Sequence, residues 1–535
     1  MSWMSWMSWM SWRRKSFEQL PALRVGGDHL RGHLRRVTIA WMFGVVWMSC
    51  ISGSQMTLFK NLLGFTNRDF GRLNAIIWGA YLFQLISAMA IERTGVRKWQ
   101  FIFYSTAHRL IWLVVAALPW IISPGRTAVW MFVGIYTIGA VLAHLAMPPW
   151  YNWMGDLIPR RVRGRFFANR RFLTIPIQVV TVLAAGLVLD WATIPGQPLT
   201  IEGQPYLMPV ISILFVIAAV FGTIDVMVFL RLREIVSEQL VRPQPKRGPN
   251  PFVAVGQAVA ETTRAVASAM SDRGFRYFVG YGFTITFAMT VGGPFFFRNA
   301  LENLGYSKTG TNVVFLVCGA LAGMAMTRVW GRLVDRWGRR PVLILATAGT
   351  IFSPMGWLLI PPAGQDPHMI IAYVAGAATC MLGGMMWSGV ELARFNLLLG
   401  FSESAGRSKF IAAAAVFTAV GGFAGGWAGG ELAHYFEHLQ HDRSPLQVGP
   451  FLWNNWHLTF LASSVARALS LLWLIRMPDP GSKSFRDVVH HIRVNVYNNA
   501  LPRLFWRRGL WRRLRRGGQK MSLMIRRGRR GGRAA

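Results

Sequence analysis

Apolar segments long enough to cross a membrane alternate with short polar segments from residue 37 to residue 475. A helix of about 20 residues spans a hydrocarbon layer about 30 Å thick. Segments such as 111–122 are apolar on every side rather than along one stripe, which disfavours a large soluble helical protein. We therefore predict an all-α integral membrane protein with twelve transmembrane helices, at about residues 37–58, 73–91, 99–120, 127–149, 166–189, 207–230, 277–297, 311–330, 341–360, 369–390, 408–431 and 452–475.

Positive charges follow alternate segments. The loops after the even-numbered segments carry far more Lys and Arg than the loops after the odd-numbered ones, and the loops at 191–206 and 361–368 carry none. Because cytoplasmic loops of membrane proteins hold the excess of Lys and Arg, we predict that both termini are cytoplasmic. The expected location is the bacterial inner (plasma) membrane.

Composition supports the membrane interpretation. The chain of 535 residues is 53% hydrophobic and only 15% charged, against about a quarter charged in soluble domains. Its three cysteines lie in apolar segments and indicate no disulfide framework. No phosphate-binding glycine loop, metal-ligand cluster or nucleophilic triad is present in the sequence. We therefore predict a protein that is not an enzyme and that needs no cofactor or metal.

A charged stretch, Gly331 to Arg340, joins segments 8 and 9 and reads GRLVDRWGRR. It supplies glycine for a tight turn, cations for the cytoplasmic side and a carboxylate that can hold cations or meet a helix start. A weaker copy, Glu92 to Lys98, follows segment 2.

The two copies belong to an internal repeat. Gly95 and Gly338 are 243 positions apart, and Gly164 and Gly406, which precede segments 5 and 11, are 242 apart. Two independent landmarks at nearly one offset indicate two six-helix halves in parallel orientation.

The stretch from Gly331 to Arg340 resembles the cytoplasmic signature loop of the major facilitator superfamily, G-x-x-x-D-R-x-G-R-R, at every fixed position. The resemblance implies two pseudo-symmetric six-helix halves around a central cavity. The domains are then a cytoplasmic tail with Met-Ser-Trp repeats at 1–36, the first half at 37–230, a cytoplasmic linker with an interfacial helix at 231–276, the second half at 277–476 and an Arg-rich cytoplasmic tail at 477–535.

The same resemblance implies that segment 2 faces segment 11 and that segment 8 faces segment 5. Asp335 would then reach the start of segment 5, and Glu92 the start of segment 11, where free N–H groups carry partial positive charge. We predict a cytoplasmic latch that is closed in the outward-open state; the alternative is that these charges only set topology. The predicted gating residues are Glu92, Arg93, Gly95, Arg97, Arg165, Gly331, Asp335, Arg336, Gly338, Arg340 and Arg407.

Polar side chains at membrane depth are costly and therefore indicate a pathway. The resemblance implies a pathway between the halves, lined most closely by segments 1, 4, 7 and 10. Gln55 and Gln84 are the strongest candidates because a buried amide needs several hydrogen-bond partners. Each candidate could instead be satisfied by a backbone carbonyl. The candidate substrate-binding residues are Ser54, Gln55, Gln84, His144, Gln178, Thr286, Trp387 and Ser388.

Charges within the segments need partners. Asp225 in segment 6 is the candidate partner of Arg109 in segment 3, and Arg467 lies 242 positions after Asp225. These charges are expected to pin outer helices to the bundle. No acid lies centrally in segments 1, 4 or 7, and a lone histidine such as His144 is more often structural, so proton coupling stays open.

We predict a secondary active transporter or facilitator that moves a small solute by alternating access, as a monomer. The alternative is a non-transporting member of the same fold, acting as an assembly factor or a lipid or pigment handler within a membrane complex. The Arg-rich tail is expected to bind anionic lipid headgroups, and no nucleic acid partner is expected. The Met-Ser-Trp repeats are interpreted as a disordered or artefactual tail, with an interfacial segment as the alternative.

Overall fold

The computed structural model describes residues 27–232, 251–361, 368–401, 407–439, 446–448 and 451–478. The Met-Ser-Trp repeats and the tail from residue 479 lie outside these residues, so the hypotheses about them stay predictions. The helices of the first half are α1 Gly27–Cys50, α2 Ser54–Leu63, α3 Asn67–Ala80, α4 Phe83–Thr94, α5 Lys98–Ile121, α6 Arg126–Leu157, α7 Arg160–Trp191 and α8 Leu207–Leu230.

The second half follows a linker helix, α9 Pro251–Ala269, which packs against α16 and α4. Its elements are α10 Arg273–Gly292, α11 Phe296–Arg298, α12 Lys308–Asn312, α13 Gly319–Trp337, α14 Arg339–Gly356, α15 His368–Phe401, α16 Arg407–Leu439, the antiparallel strands β1 Leu446–Val448 and β2 Phe451–Trp453, and α17 Asn455–Arg476. Short 3₁₀ turns (Gly293–Phe295, Trp357–Leu359) and π-helical turns (Asn299–Asn303, Val313–Cys318) connect several of these helices.

Ten of the described helical stretches are long and apolar enough to cross a membrane. An eleventh consists of α1 and α2, which meet at a bend of 41°. The less apolar helix α10 occupies the seventh predicted segment and completes the bundle. The all-α membrane fold predicted from the hydrophobic pattern is therefore confirmed.

The charged hairpin expected between segments 8 and 9 is mostly helix. Helix α13 continues to Trp337, and the turn is made at Gly338, whose φ of 99° lies in the left-handed region that favours glycine. The matching turn after α4 is made at Gly95, with φ 66°. Because Asp335 and Arg336 are polar and exposed, the last turns of α13 can extend beyond the apolar layer as helix.

The two halves repeat the same contacts at the same helix ends. Lys98 donates from Nζ to the carbonyl of Leu230 at the end of α8 (2.9 Å). Arg340 donates from Nε to the carbonyl of Leu474 at the end of α17 (2.9 Å). A cation placed there meets the free carbonyl groups of a helix C-terminus. These matched contacts confirm the internal repeat.

The helices alternate in direction, so each end of the bundle has its own set of helix termini. One end holds the starts of α1, α7 and α16, the ends of α4, α13 and α17, and the exposed residues Arg165, Arg332 and Arg336. We call it the basic end, and the other the opposite end.

Helix α16 joins the halves through two lines of glycine. A spacing of four residues places each line on one face of the helix. A Cβ on Gly426 would lie 2.6 Å from the backbone nitrogen of Ala75 on α3, so only glycine permits this approach. The line facing α10 is Gly421, Gly425 and Gly429, and the line facing α3 is Gly422, Gly426 and Gly430.

Candidate functional site

At the opposite end, a carboxylate of the first half caps a helix of the second. Asp190, near the end of α7, accepts hydrogen bonds from the backbone N–H groups of Lys308 (2.7 Å) and Thr309 (3.0 Å) at the start of α12. These N–H groups carry the positive end of the helix dipole, which a carboxylate stabilises by about 1 kcal/mol. Gly186 allows the approach, because a Cβ there would lie 2.5 Å from the Thr309 Cα.

A corresponding contact joins α16 to α3. Glu431 accepts a hydrogen bond from Arg68 Nε (2.8 Å), and Arg72 Nη2 lies 3.6 Å from the same carboxylate. Glu431 and Asp190 are 241 positions apart, close to the repeat offset. Each half therefore places a carboxylate at the equivalent helix end, where it contacts the other half.

A buried polar contact lies at the bend between α1 and α2. Asn312 Oδ1 accepts from the Ser54 backbone N–H (2.8 Å), and Asn312 Nδ2 donates to Gln55 Oε1 (3.3 Å). All three residues are fully buried, and Gln55 also donates to the Ser49 carbonyl. Two of the substrate candidates, Ser54 and Gln55, therefore lie in a buried contact between the two halves.

At the basic end, the described residues show no contact between Asp335 and the start of α7. Asp335 and Arg336 are exposed, and neither makes a hydrogen bond or ion pair within the described residues. Arg165 at the start of α7 is also exposed. The side chains of Glu92, Arg93 and Arg407 fall outside the described residues, so the second half of the predicted latch stays a prediction.

Other signature-loop residues attach each loop to its own half. Arg97 is 2% exposed and forms an ion pair with Asp156 at the end of α6. Arg339 donates to the Asn396 carbonyl near the end of α15 (3.3 Å). Gly331 lies within α13, with open space where a side chain would begin. Arg97 and Arg339 fix the loops in place, whereas the exposed Asp335 and Arg336 make no such contact within the described residues.

Between the two ends lies a set of polar and aromatic side chains from both halves, which we call the central band. Its members are Tyr81, Gln84, His144, Tyr151 and Arg170 from the first half, and Trp387, Glu391 and Arg394 from the second.

Tyr81 marks the level at which the halves separate. It occupies the break between α3 and α4, one turn after Trp78, whose ring contacts Gly422 of α16. The rings of Tyr81 and His144 meet edge-on with centroids 5.4 Å apart, and Gln84 Nε2 lies 3.0 Å from His144 Nδ1. The structure thus brings together Gln84 and His144, two substrate candidates from α4 and α6.

Arg394 is the cation that the second half contributes to the central band. Its Nη2 donates to Thr418 Oγ1 on α16 (2.5 Å), and the guanidinium lies within electrostatic range of Tyr81, across the interface, and of Glu391. Glu391 is exposed and accepts a hydrogen bond from Trp387 Nε1 (3.0 Å).

Arg170 of α7 is surrounded by aromatic rings. Its guanidinium carbon lies 5.0 Å from the ring centroid of Trp41, 5.6 Å from that of Trp150 and 4.9 Å from that of Phe167. Tyr151 is 58% exposed and lies within electrostatic range of both Arg170 and Tyr81. Tyr151 is therefore a neighbour of both Arg170 and Tyr81.

Comparison with known proteins agrees with this geometry. A model of the Major Facilitator Superfamily matches residues 39–392, more than half of the chain. The chain belongs to the major facilitator superfamily. No curated protein matches its sequence.

Solved structures share the superfamily fold. A mutant form of the nucleoside transporter NupG aligns with a TM-score of 0.58 and 12% identity, over 84% of this chain and 100% of that chain. The inward-open xylose transporter XylE from E. coli aligns with a TM-score of 0.56 and 16% identity, over 86% and 99%. A bacterial homologue of the lysosomal transporter Spinster aligns with a TM-score of 0.50 and 11% identity, over 84% and 96%. At these identities the likeness shows the fold.

Membership of the major facilitator superfamily makes this protein a secondary transporter of a small molecule, as predicted, and not an enzyme. It also gives the remaining charges a structural setting. Arg109 Nη2 lies 3.4 Å from Asp225 Oδ2, which confirms the predicted pair and holds α5 to α8. Arg467 donates to the Thr350 carbonyl (2.8 Å) and joins α17 to α14 at the equivalent level of the second half.

Three other substrate candidates have local partners or none. Thr286 is buried and donates to the Gly282 carbonyl of its own helix (2.7 Å), and Ser388 donates to the Met385 carbonyl (2.8 Å). Gln178 on α7 is half-buried and makes no hydrogen bond within the described residues.

Four residues that join the halves or line the central band were not predicted from the sequence: Asp190, Glu431, Asn312 and Arg394. The near-repeat spacing of Asp190 and Glu431 is the signal that could have identified the first two.

Proposed function

We propose that the small solute binds at the central band and that the contacts of Asp190, Glu431 and Asn312 form a closed gate at the opposite end. The observation that carries the proposal is the position of Tyr81. Between Tyr81 and the opposite end, the two halves are in backbone contact at Gly426. At Tyr81 itself, polar groups of the two halves are neighbours. A solute held there contacts both halves at the point from which they separate.

Each side chain of the band has a role in this proposal. Gln84 and His144 offer hydrogen-bonding atoms to the polar groups of the solute. Tyr81 and Trp387 pack against its apolar surface. Glu391 is the acid that the sequence places at the inner end of the tenth segment, and it faces Arg394. Thr286 contributes packing, because its hydroxyl is already satisfied.

The proposed orientation places the basic end in the cytoplasm of a bacterial cell, so that this structure is an inward-open state. The charge asymmetry of the loops supports it. In the outward-open state, Asp335 would meet the start of α7, and Glu92 the start of α16. We also keep the proposals that the protein is a monomer and that its Arg-rich tail binds anionic lipids.

The test measures distances across both ends in proteoliposomes, with spin labels on introduced cysteines after the three native ones are replaced by serine. The basic-end pair is Arg35→Cys with Arg332→Cys, and the opposite-end pair is Glu202→Cys with Leu439→Cys; all four positions are exposed. Alternating access predicts two populations at each end, with one end opening as the other closes. One unchanging distance at both ends, together with co-purification of a partner complex, would support the non-transporting alternative.

A further inference from the structure

We propose that the transported solute is an organic anion, whose carboxylate or phosphate group binds between Arg170 and Arg394. This inference rests on the proposed function of the central band. It starts from the way in which arginines enclosed by the described helices are satisfied, because Arg170 and Arg394, both half-buried, differ from three that are already paired.

Three arginines enclosed by the described helices already have an anionic or carbonyl partner. Arg97 pairs with Asp156, Arg109 with Asp225, and Arg467 with a backbone carbonyl. A cation in a membrane-spanning helix needs such a partner because desolvation is costly. These three arginines can therefore hold the fold together with no ligand.

Arg170 makes no hydrogen bond and no ion pair within the described residues, and three aromatic rings surround its guanidinium. Asp225 lies within electrostatic range of Arg170, but its carboxylate is already ion-paired with Arg109. Cation–π contacts satisfy the faces of a guanidinium, whereas its N–H groups point outward in the plane and suit the two oxygens of a carboxylate or phosphate. The N–H groups of Arg170 are therefore available to bind an anion.

Arg394 is also incompletely paired. It uses one nitrogen, Nη2, to donate to Thr418, and it forms no ion pair within the described residues. The nearby acid Glu391 is engaged by the Trp387 indole N–H. Arg170, Arg394 and the neighbouring Arg109 thus face two carboxylates, Asp225 and Glu391, and this excess of one positive charge favours an anion.

A chain of electrostatic neighbours connects the two arginines. Arg170 is near Tyr151, Tyr151 is near Tyr81, and Tyr81 faces Arg394 across the interface. The phenol groups between them can donate hydrogen bonds to the same anion, and the rings give its apolar part a packing surface. The solute class is therefore an anion with an attached organic group.

Charge neutralisation also explains how binding drives the conformational change. Closing the basic end brings an arginine of each half toward a drier site, which is unfavourable while both are unpaired. An anion shared by the two residues offsets that cost and favours closure. The empty carrier would then return slowly, so anion on the far side should accelerate uptake.

The test uses four small molecules that share a phenyl ring and differ in the charge of its substituent. The purified full-length protein is titrated with benzoate, phenyl phosphate, benzamide and benzylamine, and thermal stability is measured. At least one anion should stabilise the protein saturably, with no effect of the neutral amide or the cationic amine. Arg170→Gln and Arg394→Gln should each weaken that binding by about tenfold or more, whereas Arg476→Gln, an exposed arginine at the end of α17, should not.

Counterflow of the stabilising anion in proteoliposomes separates the two proposals. Anion binding without flux would overturn the transport proposal and retain the anion site. Stabilisation by benzamide or benzylamine alone, by none of the four probes, or by an anion whose binding survives both band variants would overturn the anion inference. Folding of each variant is checked by its unliganded melting temperature and its elution as a single species.

Discussion

The two ends of the bundle differ in the contacts that their carboxylates make. At the opposite end, Asp190 caps α12, Glu431 binds Arg68, and Asn312 joins the bend of the first span. At the basic end, Asp335 is exposed and has no partner within the described residues. Within the described residues, carboxylates therefore join the two halves at the opposite end, whereas Asp335 at the basic end makes no such contact.

The difference shows which residues a sequence motif identifies. The signature loop belongs to the basic end, which we propose to be open; its arginines hold each loop to its own half, and Asp335 makes no contact within the described residues. The closed end depends on acids and amides that form no contiguous motif. The stability of each conformation should therefore be adjustable from one end without altering the contacts at the other.

The largest effect is expected from locking the closed end. The exchanges Arg68→Cys and Glu431→Cys, joined by a bifunctional thiol reagent, should abolish movement of the spin-labelled basic-end pair, because α3 and α16 can no longer separate. Cross-linking Arg36→Cys to Arg231→Cys, which are neighbours within the first half, should leave the movement intact. Continued opening and closing in the cross-linked protein would refute the assignment of this gate.

A smaller but still large effect is expected from Gly426→Ala. Its Cβ would overlap the backbone of α3 at 2.6 Å, so the closed opposite end should lose about 1–3 kcal/mol, a shift of about 5-fold to 150-fold in population. The labels of the opposite-end pair should move apart accordingly. Gly134→Ala is the matched control, since nothing lies within 4 Å of the added Cβ. Equal behaviour of the two variants would contradict close packing at α3.

Asp190→Asn should act more weakly. Loss of the charge at the start of α12 removes about 1 kcal/mol from the closed opposite end and should lower its population about fivefold. Asp272→Asn is a control of the same type, because Asp272 caps α10 within one half (2.7 Å to the Phe275 N–H). It should lower the melting temperature and leave the ratio of conformations unchanged; an equal shift in both variants would mean that Asp190 only stabilises the fold.

The smallest effect, and one of opposite sign, is expected from Asp335→Asn. Because Asp335 has no partner in this state, its replacement should spare the closed opposite end and weaken only the state in which the basic end is closed. The population seen here should rise by a few-fold, with transport reduced and the amount inserted in the membrane unchanged. A shift in the same direction as Asp190→Asn would show that the two ends do not oppose each other.

Much of the fold follows from local sequence. A run of about 20 apolar residues has few alternatives to a spanning helix, and an offset shared by two pairs of glycines requires a repeat. The Arg109–Asp225 pair was predictable because a mid-membrane arginine needs a partner and few acids are available. The helical continuation to Trp337 was missed, since charge near a segment end was interpreted as loop.

The candidate site was less predictable because its contacts are distant along the chain. Asp190 meets Lys308 across 118 positions, and Arg68 meets Glu431 across 363. Gln55 was selected as a buried amide, and it is one, but its partner Asn312 belongs to the gate. Arg170 and Arg394 lie near segment ends, where an arginine is ordinarily interpreted as a topology signal. Their contacts with Trp41 and Thr418 depend on packing between distant segments.

The two carboxylates of the closed end differ in their exposure to the surrounding solution. The side chains of Arg68 and Glu431 are 45% and 36% exposed, so dissolved ions screen their attraction, over a Debye length of about 8 Å at physiological ionic strength. Asp190 bonds directly to backbone N–H groups, a contact in which geometry matters more than long-range charge. The salinity of the medium should therefore weaken the contact of Glu431 with Arg68 more than the contact of Asp190 with α12. A cell in dilute water would hold this carrier shut on that face more firmly than a cell in brine.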